Sequence, residues 1–297
     1  MNGDRRILDI LSPSIYQEYD RPQHVITVSV IGLSGPDSIK GSTGVGKSVL
    51  CNRLVRPEFE NFFINHITHL SQADFSGSPV VNNDHWLYWG EAELDSDYIG
   101  KTTHIRFIEQ TEFIDDETFE PIRSSRQTSD YTKRALRVNL ESHDKLMYIC
   151  RDQLGAESAF ESRILPDGKT NVDAFLLVFD VSRLIPGQSE FISNILQALS
   201  KTKRPVFIAA TKCDSIKYYL DGLQELQKVL RKKDFKNINQ TIIETSALQN
   251  VNISELLKFI AATVDKYKGK VKLLSYDDAV EARTIKLKEL SKQLLPL

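Results

Sequence analysis

Residues 25–55 read VITVSVIGLSGPDSIKGSTGVGKSVLCNRLV, and this stretch decides the fold. It begins with a dense apolar run at 25–31, which is typical of a strand buried on both faces of a parallel sheet. Residues 41–48 match the pattern G-x-x-x-x-G-K-S, and residues 48–54 predict a helix. A preceding strand and a following helix are the context of a phosphate-binding loop. Glycines there let successive N–H groups point inward, and the helix N-terminus adds positive charge.

The predicted phosphate loop gives its side chains separate roles. Lys47 would reach the β- and γ-phosphates of a nucleotide, and the Ser48 hydroxyl would bind Mg²⁺. The other residues predicted to contact the nucleotide are Gly41, Thr43, Gly44, Val45, Gly46 and Val49. Residues 33–40 separate the strand from the loop and are predicted to be an insertion.

The rest of the chain alternates between strand and helix patterns. Apolar runs at 175–181 and 206–210 predict two more buried strands. Helices are predicted at 190–199, 219–230 and 253–264, the last one capped by the Asn252 side chain. This alternation favours a doubly wound α/β sheet. Residues 86–89 and 104–108 predict two strands of an antiparallel hairpin.

The predicted domain organisation has three parts. They are an N-terminal extension at 1–22, a nucleotide-binding domain at 23–270 and an amphipathic C-terminal helix within 271–297. The charged stretch at about 115–170 is predicted to be a surface insertion with helical patches at 135–140 and 145–154.

Composition and charge exclude several classes of protein. Of the 297 residues, 41% are hydrophobic and 26% charged, which is too apolar for a disordered chain. The net charge of -2 gives no electrostatic footprint for nucleic acid. No apolar run reaches the ~18–20 residues of a membrane span, and the first ten residues lack the apolar core of a secretory signal. The three cysteines are therefore expected to be free thiols, and the chain is expected to be cytoplasmic.

Two further motifs indicate which base is bound. Thr211, Lys212 and Asp214 stand in TKCD, directly after the strand at 206–210, and resemble the N/T-K-x-D guanine motif. A carboxylate there accepts from guanine N1–H and from the exocyclic amine, whereas adenine would leave it unpaired. The residues Thr245, Ser246 and Ala247 stand in ETSA, where the Ala247 N–H would meet guanine O6. The three motifs, in this order and each after a strand, predict GTP or GDP binding.

The residues that support hydrolysis do not follow the usual pattern. A hydrolysing GTPase needs D-x-x-G after the third strand, followed by Gln, and here HIRFI continues into EQTEF. Gln110 is a candidate for orienting water, and no residue is assigned as catalytic. Thr43 stands where small GTPases usually keep glycine, and its side chain would crowd the γ-phosphate. Thr68 and Ser71 are both candidates for a second hydroxyl on Mg²⁺.

Several longer stretches carry a family resemblance. They include VIGLSG at 30–35, GVGKSVLCNRLVRP at 44–57, VVNNDHWLYWGE at 80–91 and EQTEFIDDETFEP at 109–121. Over roughly 24–270 the chain resembles the N-terminal GTP-binding domain of the large Rho GTPase-activating proteins that carry FF repeats. The resemblance implies a Ras-like P-loop GTPase fold, with a mostly parallel six-stranded sheet and helices on both faces.

The same resemblance implies a function. The domain would be a pseudoGTPase that retains GTP and Mg²⁺ and has no detectable hydrolysis. Residues 271–297 would be the start of a truncated FF module, and protein partners would act in Rho and cytoskeletal signalling. Two alternatives stay open from the residues themselves: a slow GTPase switch that hydrolyses GTP to GDP, and an ATP-dependent P-loop enzyme, which TKCD and ETSA disfavour.

Overall fold

The computed structural model describes residues 25–34, 44–57, 68–69, 86–94, 102–110, 127–141, 149–150, 169–235, 238, 240–266 and 271–294. Three residues with predicted roles, Gly41, Thr43 and Ser71, lie outside this set. So do the extension predicted at 1–22 and most of the insertions predicted at 33–40 and 115–170.

The strands and helices follow one another along the described parts of the chain. The strands are β1 (Val25–Gly32), β2 (Thr68–His69), β3 (Trp86–Leu94), β4 (Thr103–Gln110), β5 (Asn139–Glu141), β6 (Ile149–Cys150), β7 (Lys169–Asn171), β8 (Ala174–Asp180), β9 (Val206–Thr211) and β10 (Ile242–Glu244). The helices are α1 (Lys47–Val55), α2 (Gln127–Ala135), α3 (Gln188–Leu199), α4 (Tyr219–Leu230), α5 (Ile253–Val264) and α6 (Tyr276–Leu294). Short 3₁₀ turns occupy Ser200–Thr202 and Lys233–Phe235.

Six of these strands form the central sheet in the order β10-β9-β8-β1-β4-β3. Strand β3 runs antiparallel to β4, and every other neighbouring pair is parallel. In the middle of the sheet, Val28 pairs with Phe107 on one side and with Ala174 on the other. This is the strand order of the Ras-like GTPase fold, so the predicted fold class and the predicted hairpin are confirmed.

The core lies on both sides of the sheet. Every residue of β8 is buried, which requires cover on both of its faces. Helix α1 packs near β3, β4 and α5, whereas α3 packs against β8 and α4. Helix α4 approaches the sheet closely at Gly222, where an added Cβ would stand 2.8 Å from the Val181 Cα atom. Cys51 and Cys213 are free and buried.

Three local predictions are wrong. Residues 139–141 form strand β5 rather than helix, because they pair with β7 and bury Leu140. Residues 149–150 form strand β6, paired with β2. Asn252 precedes α5 with a left-handed φ of 56°, and its side chain makes no capping bond. Its amide donates instead to the carbonyls of Glu244 and Leu274.

Candidate functional site

Lys47 lies at the carboxyl end of β1, the edge at which open α/β sheets bind ligands. Its side chain is nearly buried, and Nζ donates to Ser34 Oγ at 2.7 Å and to the Leu33 carbonyl at 3.3 Å. Nζ also lies 5.9 Å from the ring centroid of Tyr131. A Cβ on Gly32 would stand 3.1 Å from Lys47 Cγ, so glycine at the strand end gives the lysine stem its room.

The described part of the phosphate loop depends on left-handed glycines. Gly44 has φ 58° and Gly46 has φ 90°, and Gly46 is the residue that precedes helix α1. The Gly44 carbonyl accepts from Lys212 Nζ at 2.6 Å and from Arg183 Nη2 at 3.0 Å. Two cationic side chains from the segments that follow β8 and β9 therefore hold this loop. Val45 is buried, and Val49 lies in the first turn of α1.

Lys212 joins the phosphate loop to the TKCD motif. Besides its bond to Gly44, Nζ lies 2.8 Å from Oδ2 of Asp180, a carboxylate with no exposed surface. Burial lowers the pKa of the Lys212 ammonium, and the charge of Asp180 opposes that shift. Thr211 completes the link, since its hydroxyl donates to the Val45 carbonyl at 2.8 Å.

The TKCD and ETSA loops are bound to each other. Ser246 Oγ donates to Asp214 Oδ1 at 2.5 Å, and the Cys213 N–H donates to the Thr245 carbonyl. Thr245 and Ser246 have no exposed surface. A carboxylate offers about four acceptor positions, so the bond from Ser246 leaves Asp214 capacity for the two donors of a guanine edge.

Arg53 on α1 is a site residue that the sequence reasoning missed. It is only 5% exposed, and its guanidinium donates to the carbonyls of Ala247 at 2.7 Å, Leu248 at 3.3 Å and Pro57 at 3.0 Å. Burial lowers the pKa of Arg53, and the nearby charge of Arg283 lowers it further. Nothing local in the sequence marks this contact, because Arg53 and Ala247 lie far apart along the chain.

Glu109 is a second missed residue, and it contacts a predicted metal ligand. Its buried carboxylate accepts from Ser48 Oγ at 3.0 Å and from Trp89 Nε1 at 2.9 Å. Glu109 stands near the end of β4, next to the place where D-x-x-G was sought. The sequence signal for this residue is its position after an apolar run, although it belongs to no D-x-x-G motif.

Gln110 faces the opposite side of β4 from Glu109, because successive strand residues alternate. Its side chain has no exposed surface, and Nε2 donates to Ser29 Oγ at 3.2 Å. The structure thus does not bring this amide to Ser48. Thr68 lies in β2, and a metal-binding role for it and for Ser71 stays a prediction.

The fold and the site together define a class. A Ras-like α/β sheet has Lys47 at the carboxyl end of its first strand, and the sequence supplies the G-x-x-x-x-G-K-S, TKCD and ETSA motifs: this is a GTPase-like P-loop domain.

Comparison with known proteins finds relatives with similar sequences, although no family model matches the chain. It is 42% identical over 260 residues to Rho GTPase-activating protein 190 of Drosophila melanogaster. It is 44% identical over 262 residues to Rho GTPase-activating protein 35 of Rattus norvegicus. Each match covers 86% of this chain and 16–17% of the relative, so the chain spans about a sixth of those proteins. The chain is therefore homologous to a region of Rho GTPase-activating proteins.

Solved structures with similar backbones are more distant. A variant of Aquifex aeolicus Era, bound to GDP.AlF4-, is 17% identical with a TM-score of 0.43, over 84% of this chain and 58% of that one. Elongation factor SelB from Methanococcus maripaludis, in its apo form, is 13% identical with a TM-score of 0.40, over 84% of this chain and 36% of that one.

Among the described helices, none combines the length and apolar character needed to cross a membrane.

Proposed function

We propose that this domain binds guanine nucleotide and holds GTP with Mg²⁺ as a largely structural ligand, with little or no hydrolysis. The observation that carries the proposal is the junction at Lys212. Its ammonium ties Gly44 of the phosphate loop to Asp180 at the end of β8, and Lys212 itself stands two residues before Asp214. These contacts hold the phosphate and base determinants in a fixed relation to one another, and such preorganisation lowers the entropic cost of binding.

The base preference follows from Asp214. Its carboxylate is anchored by Ser246 and keeps acceptor capacity, as guanine N1–H and the 2-amine require. The N–H of Ala247 is predicted to meet guanine O6, and the carbonyl of the same residue accepts from Arg53, which holds the adjoining peptide group. Adenine would offer Asp214 no such pair of donors, so we expect strong rejection of ATP.

The oxygen atoms beside the phosphate loop suit Mg²⁺. Ser48 Oγ and the Glu109 carboxylate lie 3.0 Å apart, and hard cations of this kind prefer hydroxyl and carboxylate oxygens. Ser48 would bind the metal directly, and Glu109 would orient its water ligands. When bound, the metal would neutralise phosphate charge, while Lys47 and the glycine loop would hold the phosphates in place.

Hydrolysis is expected to be weak because the residues that would position the attacking water depart from the usual pattern. There is no D-x-x-G in the sequence directly after β4, and the Gln110 amide is engaged with Ser29 inside the sheet. Thr43 would add a side chain next to the γ-phosphate. These features favour retention of GTP over turnover.

A slow GTPase switch is the second candidate, and one contact favours it. The pairing of Ser48 with Glu109 supplies an acidic group beside the metal-binding hydroxyl, much as the missing Asp would. With metal binding intact, a partner that supplied a water-orienting group could restore turnover.

The relatives' names suggest a wider role, which we propose on homology alone. The domain would be one part of a Rho GTPase-activating protein, would act in the cytoplasm and would contribute to Rho-pathway regulation through protein partners.

The test is to purify the chain, denature it and identify the released nucleotide by chromatography. GTP in near-stoichiometric amount supports the proposal, and GDP supports the switch. Asp214→Asn is the matched variant: it should shift the preference from guanine toward xanthine while leaving the phosphate loop intact. Retained guanine selectivity in that variant would mean that the base site is misplaced.

A further inference from the structure

The C-terminal helix α6 begins against the segment predicted to hold the base. We call residues 244–252, ETSALQNVN, the base loop. The N–H of Tyr276 donates to Glu244 Oε2 at 2.7 Å, and Tyr219 Oη donates to the same oxygen. The rings of Tyr276 and Tyr219 meet edge to face with centroids 6.0 Å apart. The start of α6 is therefore joined to the first residue of the base loop.

The far end of the base loop is joined to the same segment. Asn252 Nδ2 bridges two carbonyls, that of Glu244 at 2.7 Å and that of Leu274 at 3.0 Å. Leu274 lies two residues ahead of α6, so this amide fastens the approach to the helix to both ends of the base loop.

The middle of the base loop is held from two sides by arginines. Three consecutive carbonyls accept guanidinium donors: Arg53 binds those of Ala247 and Leu248, and Arg283 of α6 binds that of Gln249 at 2.6 Å. The Gln249 side chain also accepts from Tyr276 Oη at 2.5 Å. The nucleotide-side helix α1 and the C-terminal helix thus hold the same peptide segment between them.

The electrostatics of Tyr276 agrees with this arrangement. Burial raises the pKa of the Tyr276 hydroxyl, and the charge of Asp214 raises it further. Beyond its first turns α6 is exposed from 281 to 289, so few of its residues are buried against the domain. A helix held at one end by a few bonds can undock without unfolding the sheet.

We propose that α6 is a latch on the base loop: its docking through Tyr276 and Arg283 slows release of guanine nucleotide, and bound nucleotide in turn stabilises the docked helix. The inference rests on the proposed function, because it needs a guanine nucleotide at the base loop. At equilibrium the coupling is reciprocal: docking of α6 raises the affinity for nucleotide by the same factor by which nucleotide favours docking. Tyr276 and Arg283 are positioning residues in this scheme.

The test measures release of a fluorescent GDP analogue from the full chain after mixing with excess unlabelled GDP. The double variant Tyr276→Ala/Arg283→Ala should release it about tenfold faster, as expected for the loss of two hydrogen bonds to the loop. Lys286→Ala, an exposed cation on the same helix, is the matched control and should leave the rate unchanged. If the double variant does not fold, Tyr276→Phe and Arg283→Gln carry the test separately. Arg283→Lys should restore most of the slow release.

A second readout separates the latch from general destabilisation. Nucleotide should slow amide hydrogen exchange at 276–283 in the parent chain and in Lys286→Ala, and much less in the double variant. Equal release rates in all variants, or no nucleotide effect on exchange at 276–283, would overturn the latch while leaving the proposed function standing. Failure of the parent chain to bind the GDP analogue after removal of its co-purified nucleotide would overturn the proposed function and the latch with it.

Discussion

The substitution Arg53→Met removes the guanidinium that joins α1 to the base loop while keeping an apolar chain of similar length. In the parent chain three carbonyls accept donors from this nearly buried side chain. Hydrogen bonds from charged groups contribute about 1.5–3 kcal/mol each, and a buried acceptor left unpaired costs about 1–3 kcal/mol. Because these carbonyls are only partly buried, water can replace some donors, and we expect a total loss of about 2–4 kcal/mol.

Thermal and binding measurements both check this expectation. A loss of that size should lower Tm by about 5–10 °C in a chain of this length. The GDP affinity should also fall about tenfold, equivalent to about 1.4 kcal/mol, because the residue Ala247 would no longer be held at its carbonyl. Arg56→Met is the matched control. Arg56 directly follows the last residue of α1, and its guanidinium donates to the Asn52 side chain and the Trp89 carbonyl instead of the base loop. Equal losses of stability in the two variants, or unchanged GDP affinity in Arg53→Met, would refute the reasoning.

Three other perturbations test separate parts of the fold and site. Gly222→Ala should destabilise by about 1–2 kcal/mol in denaturant titration, because overpacking against Val181 outweighs the better helix propensity of alanine; a neutral result would show that α4 can shift. Glu109→Gln should weaken Mg²⁺ affinity about tenfold or more in a metal titration of the nucleotide complex, and an unchanged midpoint would remove Glu109 from the metal site. Burial raises the pKa of Tyr219 above its unfolded value, so stability should fall as pH rises above about 10. Tyr219→Phe should flatten that alkaline limb, and an unaltered limb would assign the titration elsewhere.

The parts of the fold that could be predicted are those whose burial is uniform. Strands β1, β8 and β9 lie in the middle of a parallel sheet, so their sequences are mostly apolar. Their bounds differ by no more than a residue or two from the predicted ones. Helices α4 and α5 were predicted at their observed bounds, because each presents one apolar face at helical spacing.

The parts that could not be predicted depend on contacts between distant segments. Residues 139–141 carry no strong local preference and become a strand only because β7 lies beside them. Asparagine is a common residue at helix N-caps, yet the side-chain amide of Asn252 donates to the carbonyls of Glu244 and Leu274. Arg53 has ordinary surroundings in the sequence, and its role depends on carbonyls that the fold brings to it. Glu109 has one sequence signal, its position after an apolar run, but its contact with the Ser48 hydroxyl depends on the fold.

Under the proposed function, charge at the phosphate loop gives a nucleotide a structural role that does not depend on hydrolysis. Three cationic side chains donate to backbone carbonyls here: Lys47 to Leu33, and Arg183 and Lys212 to Gly44. The buried carboxylate of Asp180 pairs with Arg183 and Lys212. Carbonyl oxygens carry only partial negative charge, so a polyphosphate would complete the balance. A ligand present at about a thousand times its Kd adds about 4 kcal/mol to stability by mass action. That gain requires the binding loops alone. Residues for turnover can therefore be lost from such a site while its phosphate and guanine contacts keep their value to the fold.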